Sequence, residues 1–108
     1  MNTELPEPIA AYFAADKIGA EAVASCFTNQ GVVKDEGHTY SGLDAIRQWK
    51  SQASTKYHYT IEPLGAQQVE GSTVVTSRLT GNFPGSPVTV RFFFRLERSK
   101  IASLEIIP

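Results

Sequence analysis

A chain of 108 residues, 42% hydrophobic and 19% charged, has enough apolar material to bury one core and lies outside the disordered class. Its formal net charge of −1 provides no basic field to gather phosphates, so nucleic acid is not an expected partner. The single cysteine, Cys26, excludes an internal disulfide and suits a reducing compartment, which makes the cytoplasm the expected location. No apolar run reaches the roughly 20 residues that span a bilayer, and the opening Met1 to Pro8 lacks the basic and apolar regions of a signal peptide, so no membrane association is expected.

Pro6 and Pro8 stand where a first helical turn tolerates proline, and Ile9, Tyr12, Phe13 and Asp16 then recur at helical spacing, which predicts a first helix. Gly19 breaks the pattern. Ala20, Val23, Ala24 and Phe27 resume it and Asn29-Gln30-Gly31 reads as a stop, which predicts a short second helix. A short strand is expected at Val32–Glu36. Ser41-Gly42-Leu43-Asp44 resembles a capping box with Asp in place of Glu, and Leu43, Ile46 and Trp49 follow on one stripe, predicting a third helix to about Ala53. From Tyr57 the composition turns to Thr, Val, Tyr and Phe, broken at Gly65, Gly71 and Gly81–Pro87. Strands are predicted over Tyr57–Leu64, Thr73–Thr80, Val88–Leu96 and Ile101–Ile107. Helices followed by a run of strands, with no internal repeat or linker, give an α+β fold in one domain spanning residues 1–108.

Successive residues of a strand point to opposite faces of its sheet. Over Val88–Leu96 this sorts Val88, Val90, Phe92, Phe94 and Leu96 inward, and Thr89, Arg91, Phe93 and Arg95 outward. In the last strand Ala102, Leu104 and Ile106 form the inward set, opposite Ser103, Glu105 and Ile107. The outer face thus mixes Phe93 and Ile107 with Arg91, Arg95 and Glu105. Isolated surface apolar residues are normal on a monomer, but charged groups able to bridge a contact make this face the expected seat of a homodimer.

His38 and His58 have no partner at metal-ligand spacing; there is no second cysteine and no calcium-loop pattern, so neither a metal nor another cofactor is expected. His38 lies in the loop after Asp35, within reach of a pocket mouth or simply solvated, and His58 is expected to face outward. Cys26 has no basic residue at adjacent turns to lower its pKa and reads as a structural thiol. Gly81–Pro87 follows a strand without leading into a helix, so it makes a pocket rim rather than a phosphate cradle.

Several phrases together resemble the nuclear transport factor 2-like superfamily, which includes SnoaL-like polyketide cyclases and ketosteroid isomerases. They are Ile9-Ala10-Ala11-Tyr12-Phe13-Ala14-Ala15; Phe27 with Val32-Val33-Lys34-Asp35; Tyr40-Ser41-Gly42-Leu43-Asp44-Ala45-Ile46; and Arg91-Phe92-Phe93-Phe94 with Lys100-Ile101-Ala102-Ser103-Leu104-Glu105-Ile106. The resemblance implies a cone-shaped, curved antiparallel sheet wrapped around three N-terminal helices, a cystatin-like α+β barrel enclosing a pocket for a small apolar molecule. It also implies isomerisation, cyclisation or dehydration of an apolar carbonyl compound, or non-catalytic binding, since the superfamily contains both.

By comparison with the ketosteroid isomerases, Tyr12 matches the tyrosine that donates a hydrogen bond to the substrate oxygen, and Asp35 matches the aspartate that shuttles a proton. The position of a second, acidic donor is taken by Phe92, and that of a supporting tyrosine by Lys50; both depart from the pattern. The expected lining draws on Phe13, Phe27, Val33, Tyr40, Ile46 and Trp49 from the first half of the chain. Tyr59, Phe83, Phe92, Phe94 and Leu104 complete it from the second. Two readings of Asp35 stay open: a base desolvated among Val33, Trp49 and Phe92 with a raised pKa, or a wet strand-end carboxylate beside Lys34 and Gly37. Trp49, Phe83, Phe92 and Phe94 likewise suit either an aromatic wall or ordinary core packing.

Overall fold

The carbonyl of Pro6 accepts hydrogen bonds from the amides of Ile9 and Ala10, each at 3.0 Å, and so opens helix α1 (Glu7–Asp16) in a computed structural model that describes residues 5–56 and 58–108. Ile9, Tyr12, Phe13 and Ala15 are buried along it, as the spacing predicted. Helix α2 (Ala20–Ala24) is shorter than expected, because Phe27 belongs to strand β1 (Phe27–Asp35) instead. The Ile101 amide bonds the Cys26 carbonyl at 2.9 Å, and Phe27 pairs with Ile101. Sheet pairing ends the helix there, while the Phe27 ring stays buried as the helical stripe required.

Asn29-Gln30-Gly31, read as a stop, runs inside β1, where the register shifts between Phe27 and Val32. A side chain at Gly31 would lie 2.9 Å from the Phe27 Cβ, so the irregular stretch folds back tightly on itself. His38, expected in a loop, lies in a short strand, β2 (His38–Ser41), paired antiparallel to β1 with Asp35 opposite His38. Glu36 and Gly37, with φ of 52° and 78°, form a two-residue turn whose twist suits a hairpin. Ser41 is consequently a strand residue facing Val32, and the Gly42 carbonyl receives the first helical bond, from Ile46 at 3.0 Å. Helix α3 (Leu43–Lys56) extends beyond the predicted end at Ala53.

The remaining strands are β3 (Tyr59–Val69), β4 (Ser72–Gly81), β5 (Val88–Glu97) and β6 (Lys100–Ile107). Tyr57, the expected start of β3, lies outside the described residues. Gly65, read as a turn, continues β3 past a register shift between Pro63 and Gly65, the signature of a bulge. The six strands form one curved sheet in the order β2-β1-β6-β5-β4-β3. Its pairings are antiparallel except β1 with β6, which is parallel because the chain leaves β1 and returns to its far side only after the long β3–β5 excursion.

Val90, Phe92 and Phe94 of β5, Val75 of β4 and Leu104 of β6 face the helices as alternation predicted, and close on Ile9, Tyr12, Val23 and Ile46. One inward position differs from the parity reading. A register shift between Arg95 and Leu96 brings Ile101 inward, fully buried, although counting back from Leu104 assigns it to the outer face.

Candidate functional site

Between the concave sheet face, α1 and α3 lies a cavity of about 430 Å³. Helix α1 contributes Tyr12, the end of β1 contributes Asp35 and Glu36, and α3 contributes Trp49 and Ala53. Phe92 of β5 and Tyr59 of β3 line it from the sheet, and Phe83 and Pro84 come from the loop after β4.

Asp35 ends β1 opposite Ile106 of β6, another cavity residue, and is half-buried. Trp49 Nε1 donates to Asp35 Oδ2 at 3.0 Å. Burial raises the Asp35 carboxyl above its ordinary value and outweighs the Trp49 hydrogen bond, which stabilises the ionised form. The nearby Glu36 charge raises it further and His38 opposes the rise. Trp49 itself is 6% exposed, backed by the Tyr40 ring at 6.3 Å, so the donor is held against rotation.

Tyr12 is 1% exposed and stands edge-on to Phe13 and Phe94, with ring centroids at 5.3 and 5.5 Å. Burial pushes its hydroxyl well above the ordinary tyrosine value, and Asp16, Tyr59 and Asp35 add to the rise through their charges. The hydroxyl therefore stays protonated, as a donor must.

Lys50, read from the sequence only as a departure, is a buried cation beside the cavity residue Tyr59. It is 2% exposed, forms an ion pair with Asp16 of α1, and donates from Nζ to the Tyr59 hydroxyl at 2.8 Å. Its ammonium also lies 5.0 Å from the centre of the Tyr59 ring. Burial acts against the charged ammonium, but Tyr59 and Asp16 outweigh it and leave the Lys50 pKa raised. The available signal was Asp16, a carboxylate on the same helical stripe as Ile9, Tyr12 and Phe13, which needs a cation if buried.

Of the expected lining, Trp49, Tyr59, Phe83 and Phe92 stand on the cavity wall together with Tyr12 and Asp35. Phe13, Phe27, Val33, Ile46, Phe94 and Leu104 are instead buried in the core cluster behind it, where they fix the wall without lining it. Tyr40, partly buried, packs against that cluster. The reason is depth: on a curved sheet some inward residues meet the helices and join the core, and others of the same parity meet the cavity. Ile61, Leu79, Val88, Val90 and Ile106 line the cavity and were absent from the expected set, although Val88, Val90 and Ile106 carried the correct parity.

His38 and His58 are exposed, and among the described residues no three metal-ligating side chains cluster. No helix among those residues is long and apolar enough to cross a membrane. Cys26 donates weakly from Sγ to the Ala22 carbonyl at 3.4 Å, and burial pushes its thiol up, away from reactivity.

A curved six-stranded sheet closing on three helices defines a cystatin-like α+β fold, here with a carboxylate and a tyrosine at one cavity. The chain belongs to the SnoaL-like domain family, whose model matches residues 7–104, within the nuclear transport factor 2-like superfamily. It is similar to a candidate polyketide cyclase from Sinorhizobium meliloti, with 36% identity, 94% of each chain covered and a TM-score of 0.89. A protein with a ketosteroid isomerase-like fold from Catenulispora acidiphila, solved with trimethylamine, is 20% identical at a TM-score of 0.84, over 97% of this chain and 87% of that one. A cystatin-fold protein from Novosphingobium aromaticivorans is 22% identical at a TM-score of 0.62, over 94% and 92% of the two chains. No curated protein matches the sequence.

Proposed function

We propose that the protein binds an apolar carbonyl compound in this cavity and moves a proton on it, in an isomerisation, cyclisation or dehydration of the polyketide cyclase and ketosteroid isomerase kind. The observation that carries this reading is that Asp35 and Tyr12 line the same apolar cavity, with the Asp35 carboxyl oriented by Trp49. Asp35 takes a proton from the carbon next to the carbonyl, and the electron pair moves onto the carbonyl oxygen as an enolate. Tyr12 donates a hydrogen bond to that oxygen, and Asp35 returns the proton at the same or a conjugated carbon. A carboxyl raised by burial is a more effective carrier for this step than a solvated one.

The test uses 2-tetralone, a flat ketone with exchangeable protons beside its carbonyl, followed in D₂O by proton NMR. The parent is expected to accelerate loss of those signals, Asp35→Asn to abolish the acceleration, and Tyr12→Phe to reduce it by on the order of 10²–10³. The apolar Phe92 at the second donor position favours a second reading, a binding protein without catalysis. Saturable quenching of Trp49 by the ketone with exchange at the buffer rate would select that reading and remove the first.

We further infer that two copies pair through the outer face of β4, β5 and β6. Val74 and Phe93 are cross-strand neighbours there, Val74 is only 8% exposed, and the Arg91 guanidinium lies 5.5 Å from the Phe93 ring centre. Arg95 and Glu105 flank them, exposed.

A further inference from the structure

We propose that Tyr59 is a second hydrogen-bond donor of the cavity, held in its donating orientation by Lys50, and that the pair selects ligands carrying a ketone or enolate oxygen. The inference rests on the cavity reading above and assigns the donor that Phe92 cannot supply. Its starting point is the polarity of one hydrogen bond. Lys50 Nζ lies 2.8 Å from the Tyr59 oxygen, and an ammonium has donors but no acceptor. Tyr59 must therefore accept in that contact, which leaves its own proton uncommitted. Among the described residues no acceptor takes that proton, while the residue lines the cavity.

Lys50 is well suited to this task. The Asp16 ion pair on its other side holds the ammonium in place, and both side chains are largely buried, at 2% and 10% exposure. A buried cation bonded to a phenol oxygen polarises its O–H bond, and hydrogen bonds strengthen along such chains. Asp16–Lys50–Tyr59 is thus a relay from α1 through α3 to β3 that ends at the cavity. Tyr12 and Tyr59 both line this cavity, so the two phenols serve one site. Tyr59 contacts ligand in this arrangement, whereas Lys50 and Asp16 are positioning residues that act through it.

The experiment titrates the full chain with 6-propionyl-2-dimethylaminonaphthalene, an uncharged aromatic ketone whose emission moves to longer wavelength when its carbonyl accepts hydrogen bonds. The parent should bind it saturably with long-wavelength emission. Tyr59→Phe, which leaves the Lys50–Asp16 pair intact, should weaken binding about tenfold and move the bound emission to shorter wavelength. Lys50→Met should shift the emission the same way with Tyr59 still present, a change that a purely structural role would not produce. Because Lys50→Met strands Asp16, the Asp16→Asn/Lys50→Met double variant, with its fold checked by circular dichroism, repeats that measurement. Unchanged affinity and emission in Tyr59→Phe would overturn the inference while leaving the cavity reading intact. A parent that fails to bind the ketone would overturn both.

Discussion

Asp35 is where burial and hydrogen bonding oppose each other most directly. Burial raises its carboxyl and the Trp49 hydrogen bond lowers it, with burial prevailing. A folded pKa above the unfolded value means that the unfolded chain releases its proton first as pH rises. The stability associated with the protonated form is present below the ordinary aspartate value of about 3.9 and is lost as pH climbs through the folded value. Asp35→Asn removes that loss, and its side-chain carbonyl can still accept from Trp49. The variant is expected to melt higher than the parent at pH 7 and level with it below about pH 3.5. A variant that melts no higher at pH 7 would identify Asp35 as a solvated strand-end residue. The two residues matched by resemblance, Tyr12 and Asp35, were legible from local phrases. Lys50 was not, since its value depends on Asp16 and Tyr59, which are remote in the chain.

Among the elements, the β4 end fixes Tyr59 most tightly. Gly81 is paired with Tyr59, and a Cβ there would lie 2.2 Å from the His58 carbonyl oxygen and 2.7 Å from the Tyr59 Cβ. The Gly81 amide donates to Ser86 Oγ at 2.8 Å, and the His58 amide donates to Asn82 Oδ1 at 2.9 Å. The first contact closes the Gly81–Pro87 rim on itself, and the second, with the return bond from the Asn82 amide to the His58 carbonyl at 3.1 Å, ties it to the residue before β3. Gly81→Ala must move one strand, so it is expected to cost about 1–3 kcal/mol in urea denaturation and to weaken ketone binding through displaced Tyr59. A variant as stable as the parent would show that the strand ends separate freely. Strands β4, β5 and β6 and the first helix were legible because their period extends unbroken over many residues, whereas β1 and β3 are interrupted by register shifts that hid their full length. The α2 end was not, because Phe27 satisfies helical and strand burial equally and only its pairing with Ile101 decides, and the short β2 was not, because its four residues fully bury no side chain and so carry no alternation.

At the scale of the whole molecule, the sheet uses its two faces differently: the inner one closes the core and cavity, and the outer one carries Phe93 among charged side chains. If two copies pair there, Phe93→Asp sets a carboxylate into the contact and should yield a monomer by light scattering at concentrations where the parent is dimeric. The inner-face core is untouched, so the fold should persist. A stable dimer of that variant would move the interface elsewhere.

The sequence by itself determined the α+β class, the family and the division of each regular strand into two faces, because these depend on periodicity and local phrases. Tertiary structure alone decided the rest. Register shifts interrupt β1, β3 and the pairing of β5 with β6, and the last of them turns Ile101 into the core against the alternation of its strand. Sheet curvature separated residues of equal parity into core, such as Phe94 and Leu104, and cavity wall, such as Phe92 and Ile106. The buried charge of Lys50 is accounted for only when α1, α3 and β3 are assembled, because a desolvated ammonium persists only where its partners converge, and no local pattern encodes that convergence.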